Sequence, residues 1–269
     1  MFTQIWANVS TNFKFFRRNR LLLVIMIIMV AVLLLSTMPS FFYLSKTRHL
    51  YLIQRVLSQL DGYAMVISAA IGLLLITHHI RNRSLKMVFT KPCLPETWLL
   101  SAFVSTIIVA AALYLLILLI TSVLFFVWDI PYQWGVVYIV MNEFLKTLIT
   151  LAYISLLGVI MHPAVVVLFI LFFSDNTFLF LKMILASGIK ESKGLTVALL
   201  KALKFGADAI YMILPSFNPY YDEKAKVYGS LRLTDANWKY LLFTLCYAAA
   251  VTMLCYLLST YFIKKKRLL

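Results

Sequence analysis

Apolar residues fill six long runs of the chain, at about Leu21 to Tyr43, Gly62 to Ile80, Leu99 to Val127, Trp134 to Met161, Ala164 to Leu185 and Lys239 to Ile263. A helix needs about 20 such residues to cross roughly 30 Å of hydrocarbon, so the pattern predicts six transmembrane helices in one all-α polytopic domain over residues 1–269. The first run follows a basic stretch as a signal peptide would. Its end, Ser36-Thr37-Met38-Pro39-Ser40, lacks a small-x-small cleavage pattern, and the run is therefore read as a retained span.

Two stretches carry helical periodicity without being spans. Phe2, Ile5, Trp6, Val9, Phe13 and Phe16 fall within roughly a 100° arc of a helix, with Lys14, Arg17 and Arg18 outside it. Residues 1–20 therefore predict an amphipathic helix in the membrane surface, with rings in the headgroup boundary and cations toward anionic lipid; an ordinary juxtamembrane anchor has the same chemistry. Between Gly194 and Pro215, Leu199, Leu203, Ala207, Ile210 and Leu214 form a second stripe beside Lys201, Lys204 and Asp208. Three charges exclude a seventh full span, leaving a surface or re-entrant helix packed on the bundle and ended by Pro215. Residues 216–238, with Asn218-Pro219 and Gly229, read as an exposed loop.

Composition agrees with the pattern: 63% of the 269 residues are apolar and 13% charged, with a mean hydropathy of +0.92. Soluble domains have about 25% charged residues, so a water-soluble globule is excluded. The net charge of +15 does not imply a nucleic-acid partner, because Lys and Arg gather beside apolar runs instead of in a soluble basic module. Lys14, Arg17, Arg18 and Arg20 precede the first run, Arg81, Arg83, Lys86 and Lys91 follow the second, and Lys264, Lys265, Lys266 and Arg267 follow the sixth. The positive-inside rule puts all three clusters, and with them both termini, in the cytoplasm; six spans then put residues 187–238 outside, a Lys-rich stretch long enough for the rule to lose force there. Lys46, Arg48 and Arg55, read as part of an outer loop, oppose this contrast.

Candidate chemistry is sparse. Cys93, Cys246 and Cys255 are too scattered for a disulfide framework or zinc site, and His49, His78, His79 and His162 lack nearby ligands, so no catalytic or metal-binding residues are expected. No glycine is followed by Lys, which excludes a Walker-type phosphate loop from this chain. Four charges interrupt the fourth and fifth runs: Glu143, Lys146, Asp175 and Lys182. Each costs about 2.5 to 3.5 kcal/mol at a helix centre and requires a partner or water. A hairpin turning at Met161-His162-Pro163 brings Lys146 level with Asp175 and Glu143 level with Lys182, which predicts two interhelical ion pairs. Two roles stay open for them: setting hairpin register, or, with Asn142, lining a cavity that contacts polar cargo.

The segment Arg81-Asn82-Arg83-Ser84-Leu85-Lys86-Met87-Val88-Phe89-Thr90-Lys91-Pro92, followed by Cys93-Leu94-Pro95-Glu96, breaks and restarts helix between two spans. A short basic amphipathic helix held there suits docking to another protein. With its Ser84-Leu85 and Thr90-Lys91-Pro92, and with Ile213-Leu214-Pro215-Ser216-Phe217 before the last span, the chain resembles the permease subunits of type-2 ATP-binding cassette exporters. Leu94-Pro95 stand where the family commonly has Ser-Arg. The resemblance implies an elbow helix at 1–20, a cytoplasmic coupling helix within 81–98, a short extracytoplasmic helix before the last span, and a homodimer or a heterodimer with a related permease. It also implies two separate ATPase subunits that hold ATP and Mg and contact Arg81, Arg83, Lys86, Lys91 and Pro92, in a bacterial cytoplasmic membrane. Such a chain is a transport subunit and not an enzyme. The rival readings are an ion- or proton-coupled carrier, which predicts inverted repeats, and a lipid-modifying membrane enzyme, which predicts clustered His, Asp or Glu.

Overall fold

A computed structural model of the chain describes residues 2–18, 46–81, 95–163, 165–166, 183–189, 194–213 and 235–265, together with Val24, Ile27 and Ala31. Among these residues the regular structure is helical throughout. The helices are α1 (Phe2–Arg18), α2 (Lys46–Arg81), α3 (Pro95–Val127), α4 (Gly135–Ile160), α5 (Leu195–Ile213) and α6 (Asp235–Lys265), with a further short helical stretch at 183–189. Four stretches are long and apolar enough to cross a membrane: Leu52–Thr77 in α2, Glu96–Val127 in α3, Gly135–Ile160 forming α4, and Asn237–Lys265 in α6. The expected first and fifth spans lie mostly outside the described residues. Val24, Ile27 and Ala31, at about one-turn and two-turn spacing, are helical and exposed.

Helix α2 corrects the sequence reading of the second run. It starts at Lys46 rather than Gly62, because Leu52, Ile53, Val56, Leu57 and Leu60 continue the apolar stripe upstream at helical spacing and are all buried. Lys46, Arg48, His49 and Arg55 thus belong to the first turns of a helix, and the loop expected around them is absent.

The connection between α3 and α4 follows from local chemistry. Asp129 adopts a left-handed conformation at φ 50°, the Ile130 N–H donates to Phe125 C=O (3.0 Å), and the Asp129 N–H donates to Phe126 C=O (3.2 Å). This is the paired hydrogen-bond pattern that closes a helix after its last turn, with Asp standing where glycine is commonest. Pro131 then prevents continuation. At the other end of α4 the expected turn occurs at Met161-His162-Pro163. The helix ends at Ile160, the Met161 N–H donates back to Leu157 C=O (2.7 Å), and the N–H groups of Val165 and Val166 donate to His162 C=O as helix resumes.

Helix α4 is the hub. It packs against α2, α3 and α6, and its span is 67% buried, whereas that of α6 is 22% buried. Close approach of α2 and α4 depends on two glycines. A Cβ on Gly72 would lie 3.1 Å from a Leu151 methyl, and one on Gly158 would lie 3.3 Å from an Ile76 methyl. Small residues at such seams let helix backbones approach within a bilayer, where helix association relies on packing. One main core joins Ile53, Leu57 and Ile71 of α2 to Tyr114 and Ile117 of α3 and to Tyr138, Ile139 and Ile149 of α4.

Of the four long helices, α2, α4 and α6 run in one direction and α3 runs against them. Ile76 of α2, Trp98 and Leu99 of α3, Val159 of α4 and Ile263 of α6 share a second cluster. The end of α2, the start of α3 and the ends of α4 and α6 therefore meet at one end of the bundle, called here the Lys264 end. At the opposite end, Tyr132 packs on Phe125 and Trp134, and Tyr138 packs edge-on to Trp238. This aromatic group suits a membrane interface, where ring bodies and polar tips can be solvated separately.

Candidate functional site

The first candidate site is a polar layer near the middle of the bundle. Asp61, Tyr114, Asn142, Glu143, Lys146, Thr147 and Thr244 are all buried, with Asp61 only 1% and Glu143 4% exposed. At about 1.5 Å rise per residue, Asp61 lies about 24 Å along α2 from Thr77, and Lys146 about 21 Å along α4 from Ile160, so both sit deep in their spans. Tyr114 of α3 joins the layer together: its hydroxyl shares a 2.7 Å hydrogen bond with Thr147 of α4 and also lies 3.5 Å from the Asp61 carbonyl of α2. The Thr244 hydroxyl of α6 donates to Asn142 Oδ1 at 3.4 Å and to Leu241 C=O at 2.9 Å. Helices α3 and α6 thus reach α4 through polar side chains at this level, and α2 joins them through Tyr114 of α3.

Glu143 and Lys146 lie one turn apart on α4, with 3.6 Å between Oε2 and Nζ. The sequence reading paired each with a residue of the fifth run. Asp175 and Lys182 lie outside the described residues, and within the described structure the two α4 charges approach each other. Asn142, Glu143 and Lys146 are all buried by the chain's own helices.

Asp61 is the member that sequence reasoning missed. It was read as the residue before a span beginning at Gly62. The signal that places it inside was the stripe from Leu52 to Leu60, which keeps α2 going for two turns upstream of the charge.

A second site gathers at the Lys264 end. Lys264 Nζ contacts Glu96 Oε1, and the Tyr256 hydroxyl donates to the Glu96 carbonyl at 3.1 Å. Two side chains of α6 thereby hold the first turn of α3. Glu96 also suits that turn, where a carboxylate complements the positive end of the helix dipole. Among the residues expected to contact an ATPase, Arg81 is the last residue of α2, and Arg83, Lys86, Lys91 and Pro92 lie outside the described residues. The ends that flank them are defined. Ile76, just before, and Trp98, just after, are buried in the same cluster with Val159 and Ile263.

Helix α1 packs on α3. Its buried side chains are Val9, Asn12 and Phe16, while Phe2, Trp6 and Phe13 are exposed. The packing face is rotated by roughly 40° from the apolar arc at about 3.6 residues per turn, so an asparagine turns inward and three rings of the arc turn outward. Asn12 Nδ2 donates to Ser105 Oγ at 3.0 Å, and that hydroxyl donates to Ser101 C=O at 2.6 Å, which keeps the buried amide satisfied. Helix α5 is present as expected from its periodicity. Its stripe residues Leu199 and Leu203, however, are 58% and 54% exposed, so they do not pack on the bundle as expected.

Among the described residues no group of three His, Cys, Asp or Glu could hold a metal ion. The described residues thus make an all-helical protein with four candidate membrane-spanning helices, a polar layer buried among them and an amphipathic helix at the N-terminus. Comparison with protein-family models, with curated proteins and with solved structures finds no match to this chain.

Proposed function

We propose that the chain is the membrane-spanning permease subunit of an ATP-binding cassette transporter of the type-2 exporter kind, driven by separate ATPase subunits that press on residues 82–94. The observation that supports this reading best is the placement of α1. An amphipathic helix with outward rings is hydrogen-bonded through Asn12 to Ser105, about 15 Å along α3 from Pro95 and in the half of that helix that follows residues 82–94. We take α1 as the elbow helix on the same membrane side as the basic segment and the basic tail, the arrangement that an elbow helix and a coupling segment require. On this reading that side is cytoplasmic, the two remaining apolar runs complete six spans, and a second permease copy or a related chain completes the pathway.

The same geometry supplies a route for the force. A push on residues 82–94 reaches the first turn of α3, and the Glu96 contacts with Lys264 and Tyr256 pass it to α6. The chain carries no phosphate loop, so the energy source is the partner. Purification in mild detergent from its own cells tests the reading: an ATPase subunit should accompany the chain, and Lys86→Glu with Lys91→Glu should abolish the response of its turnover to the permease. Isolation of a fully active chain with no ATPase would overturn it.

The buried carboxylates Asp61 and Glu143 favour a second reading, an ion- or proton-coupled carrier, because such carriers keep ionisable groups near the bilayer midplane. A proton or sodium gradient driving uptake into vesicles that contain only this chain would select it.

A further inference from the structure

The short helical stretch 183–189 and α5 form a helical hairpin. Gly194, with a left-handed φ of 72°, leads into α5, and the Val197 N–H donates to its carbonyl at 3.2 Å. Gly188 and Leu200 stand at equal distances along the chain from Gly194 and meet across the turn: a Cβ on Gly188 would lie 3.4 Å from a Leu200 methyl. The first arm follows the apolar run that starts at Ala164, and its Met183 and Ile184 are 66% and 50% exposed. Helix α5 therefore turns back beside an arm whose outer surface is hydrocarbon.

The two sides of α5 are covered the opposite way from those of a helix resting in water. Val197, Leu200, Lys204 and Asp208 fall within about an 80° arc at about 3.6 residues per turn, and all four are half-buried. Leu199, Leu203 and Phe205 lie outside that arc and are 58%, 54% and 77% exposed. Lys204 and Asp208 thus share the side covered by protein, while the large apolar side chains face out. In water the hydrophobic effect favours the reverse, with the apolar stripe covered and the charges outward. A hydrocarbon exterior favours what is seen, because ionisable groups within a bilayer turn toward protein.

We propose that α5 is embedded in the membrane, with lipid acyl chains covering Leu199, Leu203 and Phe205 in continuity with the hydrocarbon around Met183 and Ile184, and with Lys204 and Asp208 on the protein side. The stripe that periodicity marks on this helix is then a lipid contact and not a packing face. The assignment requires only that the bundle sits in a bilayer, and it holds whether or not an ATPase drives the protein.

The test uses the full-length chain in vesicles, with one tryptophan added and read as difference fluorescence against the unmodified chain. Leu203→Trp, at an exposed position of α5, reports the face in question, and Leu254→Trp, at an exposed position of the α6 span, reports surrounding lipid. Phosphatidylcholine brominated on its acyl chains should remove as large a share of the fluorescence at Leu203→Trp as at Leu254→Trp, and acrylamide added in the water should remove almost none at either. Leu199→Trp is the alternative reporter should Leu203→Trp fail to fold. Quenching by acrylamide and not by the brominated lipid would overturn the proposal, because the stripe would then face water. Quenching by neither would also overturn it, because protein, such as a second copy, would then cover the stripe.

Discussion

Glu143–Lys146 and Glu96–Lys264, two contacts between charged side chains of the described residues, form under opposite conditions. Near the middle, Glu143 and Lys146 stand 3.6 Å apart with side chains 5% and 9% exposed, both on α4. At the Lys264 end, Glu96 and Lys264 join two helices but remain 37% and 57% exposed. Coulomb interaction strengthens as the surroundings lose polarisability, so the middle pair is the more strongly coupled. Yet a pair one turn apart on a single helix cannot hold two helices together. The contact with the larger electrostatic stake lies within one helix, and the one that joins two helices is well screened. The middle of the bundle is tied across helices by neutral groups instead, through Tyr114 with Thr147 and Thr244 with Asn142.

The largest expected effect follows from breaking the buried pair on one side. Glu143→Ala removes the carboxylate 3.6 Å from the Lys146 ammonium and should destabilise the protein by about 3 kcal/mol, measured as unfolding in mixed detergent. Replacing both residues, as Glu143→Leu with Lys146→Met, should recover most of that loss. A double variant no more stable than Glu143→Ala would show that the pair is not the relevant unit.

Steric challenge to the seam beside this layer comes next. Gly72→Leu has to displace Leu151 and Thr106 side chains and should cost about 1 to 3 kcal/mol. Gly62→Leu on the same helix meets nothing within 4 Å and should be nearly neutral. Equal effects would contradict the close packing of α2 on α4.

Neutral ties should give less. Tyr114→Phe removes the Thr147 hydrogen bond, and intramembrane bonds of this kind average about 0.6 kcal/mol with a maximum of about 1.7. Thr147→Val combined with Tyr114→Phe should add little to the single change, since one bond is lost in both; additive losses would assign the two hydroxyls to different partners. The smallest change belongs to the exposed contact. Lys264→Ala should cost less than about 1 kcal/mol, and that loss should fade at high salt. A salt-independent loss of several kcal/mol would mean that the comparison between the two regions is wrong.

How far these features could be read from sequence differs from one to the next for physical reasons. The spans at α3, α4 and α6 were visible because lipid-facing and core positions are both apolar, so the whole run stands out whichever way the helix is turned. The beginning of α2 was not, because Arg55 and Asp61 interrupt the run and composition outweighs periodicity at such interruptions; the buried Leu52, Ile53, Val56 and Leu57 carry the correct phase. Glu143 and Lys146 are legible as charges that need partners; the one-turn spacing within α4 brings them 3.6 Å apart, and the expected partners Asp175 and Lys182 lie outside the described residues. Helix α1 was legible as a helix. Its orientation was not, because an apolar arc identifies a face without saying whether protein or lipid covers it, and the Asn12–Ser105 bond decides the matter.

The uneven burial of α4 and α6 also bears on how the chain can change over generations. Outward positions of α6 such as Leu242, Met253 and Leu257 meet no close-packed neighbour among the described helices, so almost any oily side chain serves there. Gly72, Gly158, Asp61, Tyr114 and Glu143 have no such freedom. Descendants of a common ancestor could therefore drift apart over most of their length and still share this handful of letters.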